Sequence, residues 1–349
     1  MKTIKLTYFS IIILALFLSC KDDNRKNYAI RDFRRSIQPG LIKIVSKGIV
    51  MYSDSSIWYM ATDKELVELS QSENPVLRAT ALKEMLRRPS FDHFDVIMKH
   101  LDDTAMVATD AGEFGIYNMT VSDHILEYGK WKSMSEKNKT IHKVITKHNY
   151  LKSAYTILPR IELQEKYYTY IKQMVQANKP FDEIEYALYA LAKFKKNDDI
   201  PLIKKILMSN YWDMTEYSFL LMQEFPNDTY LDVYEEFYPK NFYISIYSTN
   251  DPTTAIAFIN SIATYKNRRS ANILNNILHQ KPKRSIIKTG WFRDELVHAI
   301  WNNECSEYSI MRKQVKATID EIDRHTFTLP QSEPKIFPAD TSFEPIRHW

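Results

Sequence analysis

Ala187-Leu-Tyr-Ala-Leu-Ala-Lys-Phe-Lys-Lys-Asn-Asp-Asp-Ile-Pro-Leu-Ile-Lys-Lys-Ile-Leu207 reads as the end of one helix, a polar turn and a second helix, and the pattern recurs along the chain. Slid without gaps onto Ser218 to Tyr238, it lays Phe219, Met222, Phe225, Leu231, Val233, Tyr234 and Phe237 on Leu188, Leu191, Phe194, Ile200, Leu202, Ile203 and Ile206. Phe258 to Leu278 repeats it through Ile259, Ile262, Ala263, Tyr265, Ile273, Leu274, Ile277 and Leu278, and Ala81 to Leu101 repeats it more loosely through Leu82, Met85, Phe94 and Ile97. A helix pair returning every ~30 to 45 residues is the mark of an α-solenoid, where each unit hides its apolar face only by stacking on its neighbours. An all-α chain is therefore expected.

Composition agrees. Only six glycines occur, at Gly40, Gly48, Gly112, Gly115, Gly129 and Gly290, too few for a fold made of β-turns or phosphate-cradling loops. Apolar residues make up 44% of the 349, enough for a large core, and a repeat array can hold that length in one domain. The domain is expected over residues 37–325.

Around it, the sequence predicts three appendages. Residues 1–19 form a signal peptide: Met-Lys-Thr-Ile-Lys, then an apolar run from Ile11 to Leu18. That run falls short of the ~20 apolar residues a spanning helix needs. Residues 20–36, with Arg25, Lys26, Arg31, Arg34 and Arg35, read as a polar tether, and its cations suit either solvent or anionic headgroups. Residues 326–349 carry Pro330, Pro334, Pro338 and Pro345 too closely spaced for a helix; their Phe327, Ile336, Phe337, Phe343 and Trp349 favour an extended tail laid on the array, with a disordered tail as the alternative.

Two resemblances sharpen this. Phe17-Leu18-Ser19-Cys20 resembles the lipobox of bacterial lipoproteins, with Phe17 where leucine is usual. The resemblance implies cleavage before Cys20, a lipid on Cys20 and anchorage in the outer membrane, facing either the periplasm or the outside. Lys21-Asp22-Asp23 is similar to the short acidic signal that sends some such lipoproteins to the cell surface. Asn74-Pro-Val-Leu-Arg-Ala-Thr-Ala-Leu82 carries the resemblance to HEAT repeats, which covers roughly Thr62 to Leu101 and Phe181 to Leu278. It implies a HEAT-like solenoid and brings no functional residues with it.

Along the array, Thr62 with Glu65 makes a capping box, and Asn74-Pro75 and Asp251-Pro252 are matched helix starts. Helices are expected over Phe91–Leu101, Ser135–Lys147, Leu151–Leu158, Ile161–Ala177, Phe181–Phe194, Ile200–Asn210, Thr253–Tyr265, Trp291–Asn302 and Ser306–Asp323. Leu41 to Met60 suits a capping helix or a short hairpin equally. Between Asp110 and Gly129 the repeat logic fails, and an irregular or extended loop is expected there.

The chemistry-bearing residues assemble into no known catalytic pattern. Cys305 has no disulfide partner once Cys20 carries lipid, and the glutamates beside it raise a thiol pKa. Glu295-Leu-Val-His298 has the Glu-x-x-His spacing of di-iron bundles, but such sites need a second copy, and none occurs. His142 and His148 lie six apart, nearly opposite on a helix, and cannot chelate together. There is no His-Glu-x-x-His, paired Cys-x-x-Cys, calcium loop, Gly-x-Ser-x-Gly or Walker loop, so neither metal nor cofactor is expected. Asp102/Asp103, Asp198/Asp199 and Glu235/Glu236 sit at turns or on helix surfaces, where capping explains them.

Losing Lys2 and Lys5 with the signal lowers the net charge from +4 to about +2, which argues against a nucleic-acid partner. The basic edge Lys266, Arg268, Arg269, Lys281, Lys283, Arg284 and Lys288 reads as a solvated rim, with a surface for an anionic partner as the alternative. Tyrosine is abundant at 22, in runs such as Tyr167-Tyr168-x-Tyr170, Tyr211-Trp212 and Phe242 to Tyr247. Tyrosine serves either as core filler or as a half-wet surface for a protein or glycan. The expected role is a protein-binding or scaffolding module anchored to the outer membrane. Its rivals are a helical hydrolase or glycan-processing enzyme and a structural subunit of an uptake or secretion complex.

Overall fold

The computed structural model describes residues 29–51, 60–110, 112, 115–210, 213–237, 252–279 and 290–324. They are mostly helical with one small three-stranded sheet, and they fall into two compact units, divided in sequence between Thr140 and Ile141. Cys20, the signal segment and residues 326–349 lie outside the described residues, as do Tyr211-Trp212, residues 242–247 and Asp251. No described helix is long and apolar enough to cross a membrane.

The first unit opens with α1 (Gln38–Lys47) and β1 (Ile49–Val50), so a helix and a strand share the stretch whose pattern suited either. Helices α2 (Asp63–Leu69), α3 (Pro75–Met85) and α4 (His93–His100) follow. Their starts obey the expected cap chemistry. Thr62 N donates to Glu65 Oε2 at 2.7 Å and Thr62 Oγ1 accepts from Glu65 N at 3.2 Å, while Asn74 Oδ1 accepts from Val76 and Leu77. Arg34, assigned to the tether by sequence, instead clamps Glu65 through two hydrogen bonds of 2.8 Å and holds the carboxyl down at about 2.

The expectation of an all-α chain is corrected here. Met106-Val-Ala-Thr-Asp110 is β2 and Ile116-Tyr-Asn-Met-Thr120 is β3, antiparallel in the register Met106↔Thr120 to Asp110↔Ile116, while β1 joins β2 in parallel at Ile49↔Ala108. Alternation explains the strands: Val107, Thr109 and Met119 point inward with Val50, while Met106 and Ile116 point out. Gly112 and Gly115, at φ +69° and +83°, supply left-handed backbone between them. The rest of the expected loop is α5 (Val121–Tyr128), capped by Thr120 Oγ1 accepting from Asp123 N at 3.0 Å. Helix α3 packs on β1, β2 and α5, so the sheet's apolar face is closed by helices.

Helix α6 (Met134–Lys147) spans the unit boundary. The second unit holds α7 (Lys152–Thr156), α8 (Tyr168–Val175), α9 (Phe181–Ala192), α10 (Ile200–Ser209), α11 (Glu216–Glu224), α12 (231–237), α13 (Pro252–Ala263), α14 (Arg268–His279), α15 (Gly290–Asn302) and α16 (Ser309–Arg324). Among its described residues there is no strand. Helix α9 packs on α11, α11 on α13 and α13 on α15.

Three slots of the repeat are both apolar and buried in all four copies. They are Leu82, Leu188, Phe219 and Ile259; Met85, Leu191, Met222 and Ile262; and Ile97, Ile203, Tyr234 and Leu274. Sequence missed a second signature, a 3-10 turn set directly before the second helix of a pair. The turns Glu165–Tyr167, Asn197–Asp199, Asp228–Tyr230 and Ser306–Tyr308 each end on a buried side chain. They also shorten two expected helices, since Ile161–Ala177 becomes a turn plus α8 and Ser306–Asp323 a turn plus α16.

Candidate binding site

Tyrosine divides into two populations in the second unit. Tyr155, Tyr167, Tyr230, Tyr234 and Tyr308 are core, and Tyr234 belongs to a ring cluster with Phe219, Phe258 and Tyr265. Tyr186, Tyr189 and Tyr217 differ, being half-buried, with Tyr217 in contact with each of the other two. Tyr186 meets Tyr217 edge to face with centroids 4.8 Å apart, and Tyr189 meets Tyr217 at 5.7 Å.

The repeat itself puts them there. Tyr217 follows Tyr186 by the same spacing that superposes Ala187 to Leu207 on Ser218 to Tyr238, so the two rings occupy one slot of consecutive units. Because α9 packs on α11, equivalent positions become neighbours. Tyr189, one helical turn on from Tyr186, shares its face. Scanning for runs of adjacent aromatics misses this row; comparing equivalent repeat positions finds it.

Charge surrounds the rings. The Lys193 ammonium sits 4.4 Å from the Tyr189 centroid, and burial lowers its pKa. Arg160 acts electrostatically on Tyr186 and Tyr217, as Glu216 and Glu224 do on Tyr189. Burial pushes Tyr186 and Tyr189 up to about 12, so both stay neutral hydroxyls that donate and accept hydrogen bonds. Beneath the row lies Glu185, 3% exposed, accepting from Thr215 Oγ1 at 2.8 Å and Ser218 Oγ at 3.3 Å. Burial pushes its carboxyl up to about 7 despite those two hydroxyls.

A second titratable cluster lies in the first unit. The Lys83 ammonium donates to Met51 O at 2.8 Å and stands 4.9 Å from the Tyr128 centroid, and desolvation brings it down to about 8. His124, fully buried with neither ring nitrogen hydrogen-bonded, is held neutral by burial and by nearby Lys83 and Arg87, at about 3. The imidazole therefore takes up no proton in any ordinary pH range.

The candidates from sequence stay dispersed. Asp103 is tied to Arg78 and Asp199 to Lys172 and Tyr168, while Asp102 and Asp198 are exposed. Glu235 pairs with Arg269, which also pairs with Asp232, removing one cation from the basic edge; Lys281, Lys283, Arg284 and Lys288 lie outside the described residues. Glu295 and His298 are half-buried neighbours on α15, and burial raises the Glu295 carboxyl. His142 is exposed, His148 is buried, and Cys305 is a half-buried free thiol. Among the described residues no group of three His, Cys, Asp or Glu side chains is placed to hold a metal.

Comparison with known proteins adds no assignment: no family model, no curated protein and no solved structure matches the chain.

Proposed function

We propose that this chain is a lipid-anchored, HEAT-like helical-repeat protein of the outer membrane that binds a protein partner through the Tyr186, Tyr189 and Tyr217 row. The order of packing, α9 on α11 on α13 on α15, supports a solenoid, because only stacked pairs bring every second helix together. The observation that carries the binding reading is the pair of half-buried rings at one slot of consecutive repeats, 4.8 Å apart. Tyrosine offers large, stiff contact area with a polar tip, and a protein interface concentrates its affinity in such residues and in arginine. Arg160, Lys193 and Glu224 supply a charged rim. The hydrolase alternative gains less support, since Glu185, the acid of suitable pKa, is sealed behind Thr215 and Ser218.

The experiment is crosslinking in intact cells from a photoreactive residue at position 189, followed by purification and identification of the adduct. A single protein adduct that disappears in the Tyr186→Ala/Tyr217→Ala variant, with the variant's helical content unchanged, is the expected result. An adduct that survives both substitutions refutes the tyrosine row. Cys20→Ala tests the anchor separately: the variant is expected in the soluble fraction, and full membrane retention overturns the lipoprotein reading.

A further inference from the structure

Glu185 is an unusual residue to bury. It lies on the face of α9 that meets α11, and its Oε2 takes hydrogen bonds from Thr215, the N-cap position of α11, and from Ser218 in the first turn. The side chains holding it thus flank Tyr217, and Glu185 itself adjoins Tyr186 in sequence. One carboxyl spans the seam directly under the ring pair.

No full countercharge answers it. On its own helix Asp182 adds further negative charge and Tyr186 is a neutral phenol. From α11 come Glu216 and Tyr217, an acid and a phenol, and the 3-10 turn Leu158–Arg160 brings Arg160 into the field of Tyr186 and Tyr217. Of the other elements on α9, α7 offers Tyr155, whose hydroxyl donates to Met174 O, and α8 offers Lys172, whose ammonium is committed to Asp199 at 2.6 Å. An ionised Glu185 would rest on two hydroxyls and the Thr215 backbone N–H, with no cation paired to it, and a buried carboxylate without a countercharge is costly. The protonated acid has no such penalty.

We propose that Glu185 is a proton-operated catch on the α9–α11 seam: protonated, it holds the seam closed and the Tyr186–Tyr217 pair in register; ionised, it loosens the start of α11 and weakens partner binding by the row. The binding half rests on the tyrosine reading above; the catch itself does not. For an acid whose folded pKa is raised, the folded state binds the extra proton, so closure is strongest below the open-state value near 4.5 and declines as pH rises through about 7. Linkage between those two values makes the loss of protection about tenfold from pH 6 to pH 8.

The test is hydrogen exchange of the full mature chain in detergent, with protection of residues 213–222 corrected for the intrinsic pH effect. The wild type is expected to lose about tenfold protection there between pH 6 and pH 8. Glu185→Gln, which mimics the protonated acid, is expected to lose none. A wild type without the loss, or a variant that keeps it, overturns the catch. Should Glu185→Gln fold poorly, infrared difference spectra of the wild type decide instead: a buried protonated-carboxyl band present at pH 6 and gone by pH 8.5 supports the proposal, and its absence at pH 6 refutes it. If the catch operates while crosslinking at position 189 is insensitive to Tyr186→Ala/Tyr217→Ala, the binding surface fails and the catch stands.

Discussion

Asp103→Ala is the substitution whose cost is best defined. Arg78, 1% exposed, grips Asp103 with two parallel bonds, Nε to Oδ2 at 2.8 Å and Nη2 to Oδ1 at 3.0 Å. Its remaining nitrogen, Nη1, donates to Ser72 O at 2.6 Å and Glu73 O at 2.8 Å, and Asp103 Oδ1 also accepts from Ala105 N at 3.3 Å. The pair thus ties α3 to the chain leaving the turn before α3 and to the chain entering β2. Removing the carboxylate strands a guanidinium in the interior, which costs about 3 to 5 kcal/mol. A Coulomb estimate at an effective dielectric of ~20 and ~4 Å gives about 4 kcal/mol, the same size. Arg78→Met strands the opposite charge and two carbonyls, and is expected to cost as much. Arg78→Met/Asp103→Leu removes both charges, so its loss should fall well short of the sum, with a coupling of about 2 kcal/mol or more.

Because the two compact units need not unfold together, a single melting curve is the wrong readout. Hydrogen exchange along α3 and residues 101–105, followed through a urea series, reports the first unit by itself. Burial also keeps salt from screening the pair, so the cost should hold at 0.5 M salt, roughly. An Asp103→Ala cost below ~1 kcal/mol, or strict additivity in the double variant, would refute the claim that this ion pair organises the unit.

Two further expectations concern other depths of the fold. Leu191→Asp puts a carboxylate at a fully buried slot of the repeat and should destabilise α9 by several kcal/mol; unchanged thermal stability by circular dichroism would show that the slot is not core. Glu65→Gln probes a depressed acid: the Arg34 contact contributes stability that is complete above pH ~4.5 and is lost as pH falls toward about 2. Arg34 is half-exposed, so solvent screens the contact and its contribution is small, visible as a slight wild-type advantage at pH 7 that vanishes near pH 2 in urea unfolding.

The helices were legible because their burial is periodic, and the slots at Leu82, Leu188, Phe219 and Ile259 follow from sequence spacing alone. The sheet was not. Five residues such as Met106 to Asp110 alternate too briefly to outweigh a helical context, and β1, two residues long, is specified by its partner Ala108-Thr109. Nor could sequence separate Asp102 from Asp103 or Asp198 from Asp199. In each doublet one carboxylate is buried on a cation and its neighbour exposed, and only the partner's position, Arg78 in one case and Lys172 in the other, decides which.

The same limit governs the row proposed to bind a partner, and it shows where function is to be sought when a helix-pair pattern recurs along a sequence. A slot that must be apolar in every unit reports packing; a slot free to vary reports a surface. Slots equivalent to Leu191 never leave the core, whereas the slot of Tyr186 holds Tyr217 in the next unit and then Ala257, which is buried. The row therefore ends after two repeats, and with it the register of Glu185, whose slot passes to the half-buried Glu216 and then to Ile256. Aromatic surface and buried acid begin and end together. Coincidence of the two at one seam is expected if the acid serves the surface, and under the proposed catch α9 and α11 form the seam at which a proton and a bound partner would favour the same closed geometry.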